Sequence, residues 1–156
     1  MITLFLITGL SACMKEQSSL NDIMQAGERS DNAILSYLRV HNDTTVSKDP
    51  SGLFYKIIYP GDSIHYLSLN SIPTVSYTYQ LTNDQVVVNS FGETDFNGRR
   101  LKDHILGWQI GLKKISKGGK IILYMPPSLA FGTVGIPGLI PPEAVVISEV
   151  ELIDFR

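Results

Sequence analysis

Hydrophobic and polar positions repeat with two different periods along this chain, and the periods predict its secondary structure. Around the only tryptophan, the apolar residues Ile105, Trp108, Leu112 and Ile115 recur every three or four positions. That spacing places them on one face of a helix. The pattern therefore predicts a short amphipathic helix that carries Trp108 on its apolar face.

A stiff apolar loop follows this helix. Residues 116–119 end the helix with two glycines, and Lys120–Met125 forms an Ile-rich and Leu-rich strand. Residues 126–142 contain five prolines and three glycines. Four apolar side chains in this loop are Phe131, Ile136, Leu139 and Ile140. Because loops seldom expose so much apolar surface, a shallow hydrophobic pocket facing the Trp108 helix is predicted.

Period-two alternation predicts the remaining strands, which are Leu53–Tyr59, Thr74–Leu81, Gln85–Asn89 and Ala144–Phe155. Asn83 and Asp84 predict a hairpin turn. The inward face of the last strand is expected to carry Val146, Ser148, Val150 and Leu152. Several strands, hairpin connections and one central helix predict an α+β fold, in which a curved antiparallel sheet wraps around one short helix.

The N-terminus is typical of an exported bacterial lipoprotein. Residues 1–12 are apolar and end in Leu-Ser-Ala before Cys13, the only cysteine. We expect residues 1–12 to be a signal peptide and Cys13 to carry a lipid. The protein would then be anchored in the membrane of the cell envelope, on its periplasmic or extracellular side. The alternative is a buried N-terminal strand with an ordinary cysteine.

Residues 13–50 are expected to connect this anchor to the main domain, residues 51–156. Met14–Ser30 is polar and suits a tether or a loose helix. A helix with an apolar stripe is predicted for Asp31–His41. That helix can pack on its own domain or on a second copy, so a homodimer is one expectation.

Composition and motifs argue against several other functions. The formal net charge is -2, which gives no reason to expect nucleic-acid binding. The histidines, at 41, 65 and 104, are too far apart in sequence for a metal-ligand motif. Gly118-Gly119-Lys120 lacks the other residues of a phosphate-binding loop, and G-x-S-x-G is absent.

Eight short motifs together resemble the FKBP-type peptidyl-prolyl cis-trans isomerases, in particular N-terminally extended bacterial members. In chain order they are Ser51-Gly52-Leu53, Val75-Ser76-Tyr77, Gly107-Trp108, Gly111-Leu112, Gly118, Pro126 to Gly132, Ile140-Pro141-Pro142 and Val150-Glu151-Leu152. The similarity covers about residues 51–156. It implies isomerisation of X-Pro bonds in polypeptide clients, without a metal or cofactor.

The resemblance also implies a role for individual positions. Trp108 would form the floor of a proline pocket, and Ile105 would offer its backbone N–H to a substrate carbonyl. The walls would be Tyr77, Phe131, Leu139 and Ile140. Further substrate-binding positions would be Val88, Asn89, Ile136 and Ser148. For Tyr77, simple core packing is an equally good interpretation.

Four of these positions depart from the family pattern. Val88 and Asn89 stand where the family has a Phe-Asp pair, and Phe131 lacks the hydroxyl of a family tyrosine. Ser148 replaces an aromatic residue, which is expected to leave room or water behind the pocket. Two functions therefore remain open. One is an isomerase that removes water from the X-Pro bond and twists it. The other is a lipid-anchored binding or chaperone module with weak or no turnover.

Overall fold

A long helix precedes the main domain. The computed structural model describes the backbone of residues 10–156 and the side chains of residues 19–156. Helix α1 spans Leu10–Val40. Most of the predicted signal peptide and the side chain of Cys13 lie outside the described residues. Within the described part of the chain, no helix is long and apolar enough to cross a membrane.

One antiparallel sheet forms the main domain, in the order β1-β2-β5-β6-β3-β4. Its strands are β1 (Ser47–Lys48), β2 (Phe54–Tyr59), β3 (Pro73–Leu81), β4 (Val86–Asn89), β5 (Lys120–Met125) and β6 (Val146–Phe155). Helix α2 (Leu106–Gly111) packs on one face of the sheet, here called the inner face. The predicted α+β fold is confirmed.

Strand β6 shows how the alternation of side chains builds two cores. Val146, Ser148, Val150 and Leu152 are all fully buried on the inner face, as predicted. Ile147 lies between them in sequence and packs on the opposite, outer face. Both faces of this central strand are therefore covered.

Helix α1 covers the outer face of the sheet. Ile34 and Leu38 are buried there against Phe54, Tyr124 and other apolar side chains. The predicted apolar stripe of the helix thus packs on its own domain, which was one of the two expected roles. Residues 14–30 take the helical one of their two predicted alternatives and continue into the predicted Asp31–His41 helix, so that α1 is a single helix.

Helix α2 is shorter than the predicted helix and ends in a 3-10 turn over Leu112–Lys114. Two glycines allow it to lie close to β5. A Cβ at Gly107 would come 2.3 Å from the Met125 sulfur, and one at Gly111 would come 2.4 Å from Leu123 Cδ2. Glycine at these positions therefore brings Trp108 directly onto the sheet.

Candidate active site

Trp108 lies at the centre of an aromatic cluster on the inner face of the sheet. Its ring centroid is 5.0 Å from that of Tyr77, 5.9 Å from Tyr79, 5.7 Å from Phe96 and 5.4 Å from His104. Tyr77 and Phe96 meet it edge-on, while His104 is stacked. We call these five rings the aromatic cluster.

The indole is fully enclosed in this structure, with 0% of Trp108 exposed. An open hollow above the indole, as the sequence predicts, is therefore not present in this conformation. Since rings cover it on several sides, a prolyl ring can contact the indole only if one of its neighbours moves.

A buried hydrogen bond fixes the orientation of the indole. Trp108 Nε1 donates to Ser148 Oγ over 3.1 Å, and both residues are fully buried. Ser148 is the direct cross-strand partner of Tyr79. The small side chain expected to leave room behind the pocket therefore serves as a hydrogen-bond acceptor, with the Tyr79 ring beside it.

Tyr79 is a member of the cluster that the sequence patterns did not single out. Its ring centroid lies 5.5 Å from that of Phe131, in an edge-to-face arrangement, and 5.0 Å from that of Tyr77. The sequence feature that could have identified Tyr79 as a site residue is its place in β3, two residues after Tyr77 and on the same face of the strand. An ordinary core tyrosine gives the same signal, so alternation alone could not assign it to the site.

Phe96 and His104 were also missed. Phe96 lies in an irregular segment that matched no motif, and its backbone has a φ of 52°. His104 directly precedes the proposed donor residue, Ile105, and its Nε2 is the one buried side-chain atom without a hydrogen-bond partner in the described chain. Burial lowers the pKa of His104 below its ordinary value, so the neutral ring is favoured.

Ile105 occupies the N-cap position of helix α2. Its carbonyl accepts from the N–H groups of Trp108 and Gln109, over 3.0 and 3.2 Å. Its own N–H makes no hydrogen bond within the described residues. This position therefore leaves one backbone donor free beside Trp108, as the role predicted from the resemblance requires.

The apolar loop closes one side of the cluster. Phe131 contacts Tyr79, and the Ile136 N–H donates to the Ile140 carbonyl over 2.8 Å. Ile140 is buried with 2% exposed, whereas Leu139 is 48% exposed. Ile140 therefore belongs to the core beneath the loop, and Leu139 projects from the loop surface.

The two positions on β4 lie at the edge of the sheet. Val88 pairs with Tyr79 and packs on the inner core. Asn89 pairs with Thr78, is exposed, and accepts a hydrogen bond from the Phe91 N–H over 2.8 Å. The Asn89 side chain is therefore used within its own turn. The Tyr77 hydroxyl has no hydrogen-bond partner among the described residues.

The aromatic cluster carries little charge. Burial raises the pKa of the Tyr77 phenol, so it stays neutral at physiological pH. Within the part of the chain that the structure describes, no three His, Cys, Asp or Glu side chains are grouped to hold a metal. A cavity of about 780 Å³ lies elsewhere, between α1 and the loops at residues 48–52 and 126–133.

The fold and the cluster together define a class of small α+β domains with a tryptophan-bearing helix packed on an antiparallel sheet. The sequence model for FKBP-type peptidyl-prolyl cis-trans isomerases matches residues 68–153. The chain therefore belongs to the FKBP-type peptidyl-prolyl cis-trans isomerase family.

Individual relatives agree with this assignment. The isomerase FkpA of Buchnera aphidicola from Schizaphis graminum is 40% identical over 111 residues, covering 71% of this chain and 44% of that protein. FK506-binding protein 1 of Eremothecium gossypii is 36% identical over 96 residues, covering 60% of this chain and 84% of that protein. The chain thus spans less than half the length of its FkpA relatives, for example 40% of that from Escherichia coli K12.

The crystal structure of FkpA from Escherichia coli superposes with a TM-score of 0.69 at 29% identity. That match covers 93% of this chain and 67% of the FkpA chain. The shared fold therefore extends beyond the segment matched by the family model.

Proposed function

We propose that this protein catalyses the cis-trans isomerisation of Xaa-Pro bonds in polypeptides. Membership of the family supports this activity. The observation that carries it is the aromatic cluster around Trp108, with the free N–H of Ile105 beside it. An apolar aromatic surface next to a single backbone donor suits a prolyl ring attached to a peptide carbonyl.

Such a site needs neither a nucleophile nor a general base. Rotation about a peptide bond faces a barrier of roughly 18–20 kcal/mol, because resonance keeps the amide planar. The planar amide is dipolar and is stabilised by water. Contact with the apolar rings would remove part of that hydration, and the Ile105 N–H would hold a carbonyl of the twisted peptide. The rate enhancement comes from stronger contact with the twisted state than with either planar state.

The proposed reaction requires the cluster to open. His104 and Tyr77 are only partly buried, whereas Trp108 is completely buried. Movement of an outer ring would expose the indole without disturbing its hydrogen bond to Ser148. Side-chain rotations of this kind are fast compared with the uncatalysed isomerisation.

A protease-free isomerisation assay with a tetrapeptide containing one Leu-Pro bond tests the function. The wild-type chain should accelerate the exchange, and Trp108→Leu should lose most of the acceleration because the aromatic floor is gone. Ile34→Val, a buried change on the outer face, is the matched control and should retain activity. Circular dichroism shows whether each variant is folded. Full activity in a folded Trp108→Leu protein would contradict the assignment.

A binding module with weak turnover is the second candidate. The complete burial of Trp108 favours it, since access to the indole then costs free energy. Under this proposal the chain would suppress aggregation of an unfolded, proline-containing protein while the Leu-Pro tetrapeptide exchanges at its uncatalysed rate. The same preparation should be used for both measurements.

We further propose that the protein acts at the bacterial cell envelope, held there by a lipid on Cys13. The Leu-Ser-Ala-Cys sequence supports this location. Mass spectrometry of the protein from its native membrane should find the N-terminus at Cys13 with attached acyl chains. Cys13→Ser should release the protein into the soluble fraction. An unmodified Cys13 in the membrane-derived protein would exclude the lipid anchor.

We also propose a homodimer formed through helix α1. Leu20, Ile23 and Met24 are 52%, 68% and 65% exposed and lie at helical spacing upstream of the part that covers the sheet. Sedimentation should give a dimer that Ile23→Glu dissociates. Glu28→Gln, on the same helix, is the control and should leave the dimer intact. A monomeric wild-type chain would rule out the proposal.

A further inference from the structure

The hydroxyl of Tyr79 has no hydrogen-bond partner within the described residues. The residue itself is 8% exposed, so most of its ring is buried. Among the described residues, His104 Nε2 is the one unpartnered side-chain nitrogen or oxygen that is completely enclosed. The unpartnered Tyr79 oxygen is therefore not completely enclosed. The core therefore holds the ring, while part of the hydroxyl oxygen stays accessible.

A buried tyrosine normally finds a partner for its hydroxyl. Leaving the group unpaired has a free-energy cost unless a ligand or water supplies an acceptor. Burial also holds the pKa of Tyr79 well above its ordinary value. The group consequently remains a neutral O–H donor throughout the physiological range.

The other side chains of the cluster offer few alternative donors. The Trp108 indole N–H is already used by Ser148. Phe131 packs edge-to-face on Tyr79, with ring centroids 5.5 Å apart, and has no hydroxyl. His104 Nε2 is enclosed, so within the aromatic cluster the two phenols, Tyr77 and Tyr79, are the side chains that offer a ligand a free donor hydrogen. Tyr79 is the one that contacts both the indole and the apolar loop.

We propose that the Tyr79 hydroxyl donates a hydrogen bond to a backbone carbonyl of the bound prolyl peptide. This inference rests on the proposed isomerase or prolyl-binding function and names a substrate-binding residue for it. Tyr79 would supply, from β3, a donor that Phe131 cannot supply from the loop. A peptide carbonyl fits because it is an acceptor adjacent to the prolyl ring, and because a neutral phenol needs no charged partner.

Tyr79→Phe tests the proposal with the least change in packing. We measure kcat and KM for the Leu-Pro tetrapeptide, and its Kd by titration, in the full chain. Loss of one hydrogen bond should lower kcat/KM or raise Kd by about three- to tenfold. Tyr124→Phe is the matched control, since Tyr124 is a buried phenol on the outer face, and it should leave both values unchanged.

A second variant separates a hydrogen-bonding role from a structural one. Phe131→Tyr places a new hydroxyl beside Tyr79 and should restore most of the loss when introduced into Tyr79→Phe. The same change in the wild-type chain should have a smaller effect. A purely structural effect of Tyr79→Phe would not be rescued in this way.

Failure of the Tyr79 proposal can be distinguished from failure of the proposed function. If the wild-type chain neither binds nor isomerises the tetrapeptide, the proposed function fails and the role of Tyr79 fails with it. If the wild-type chain is active but Tyr79→Phe retains its kcat/KM and Kd, only the role of Tyr79 is overturned. A loss that Phe131→Tyr does not repair also overturns that role.

Discussion

Trp108 Nε1 donates a hydrogen bond to Ser148 Oγ across 3.1 Å, from the short helix to the central strand of the sheet. The two residues are 40 positions apart and both are fully buried. Because no water reaches this pair, the serine oxygen is the partner on which the indole N–H depends.

Ser148→Ala should therefore lower the free energy of unfolding by about 1–3 kcal/mol, the usual cost of leaving a buried donor unpaired. Urea unfolding measures the change. Ser76→Ala is the matched control, because its hydroxyl makes no hydrogen bond to any described residue and it lies on the neighbouring strand β3. Equal stabilities of the two variants would show that the indole does not depend on Ser148.

Gly107→Ala should destabilise the protein although alanine favours helices. Its Cβ would lie 2.3 Å from the Met125 sulfur and 3.2 Å from the Leu129 carbonyl oxygen, so the Met125 side chain or α2 itself must shift within the packed core. Overpacking of this kind typically costs about 1–3 kcal/mol. Thermal unfolding should show a clear decrease in Tm.

Gly27→Ala provides the opposite case in the same protein. Gly27 lies inside α1, and a Cβ added there would have no atom within 4 Å, so only helix propensity changes. The variant should gain about 0.5–1 kcal/mol in unfolding free energy. A loss of stability at Gly27, or none at Gly107, would contradict the packing described for the two helices.

The partly buried ring of His104 should make stability depend on pH. Burial lowers its pKa, so the unfolded chain binds this proton more readily than the folded chain. The His104 contribution should favour unfolding as pH falls through about 6.5, the ordinary histidine value, towards the lowered value in the folded state. Urea unfolding between pH 8 and pH 5 measures the effect.

His104→Phe isolates this contribution, because it keeps a ring against Trp108 and removes the titrating group. The difference in unfolding free energy between wild type and variant should change with pH in that window and level off above it. His41 and His65 are common to both proteins, so residue 104 is the only position at which the two differ. A pH-independent difference would contradict a lowered pKa for His104 in the folded protein.

Ile34→Ala tests whether α1 contributes to the stability of the domain. Ile34 is fully buried against the outer face of the sheet, and its truncation should cost about 2–5 kcal/mol. The neighbouring Leu35 is 45% exposed, so Leu35→Ala should change stability by less than about 0.5 kcal/mol. Similar effects of both changes in urea unfolding would mean that α1 is not docked as described.

The sequence alone was sufficient for the architecture. Alternation along β6 predicted its four inward residues, and helical spacing placed Trp108 on the apolar face of a short helix. The Asn83-Asp84 turn signal correctly predicted that β3 and β4 form a hairpin. These features depend on neighbours within a few residues, which is the range that periodicity reports.

Tertiary structure decided the surroundings of the indole. Tyr79, Phe96 and Ser148 come from separate parts of the chain, and no local period relates them to Trp108. Folding brings them together because α2 lies directly on the sheet, where Gly107 and Gly111 permit close approach. The pattern along the chain thus determined which residues are buried, while the docking of one short helix determined which of them meet and which hydroxyl remains free.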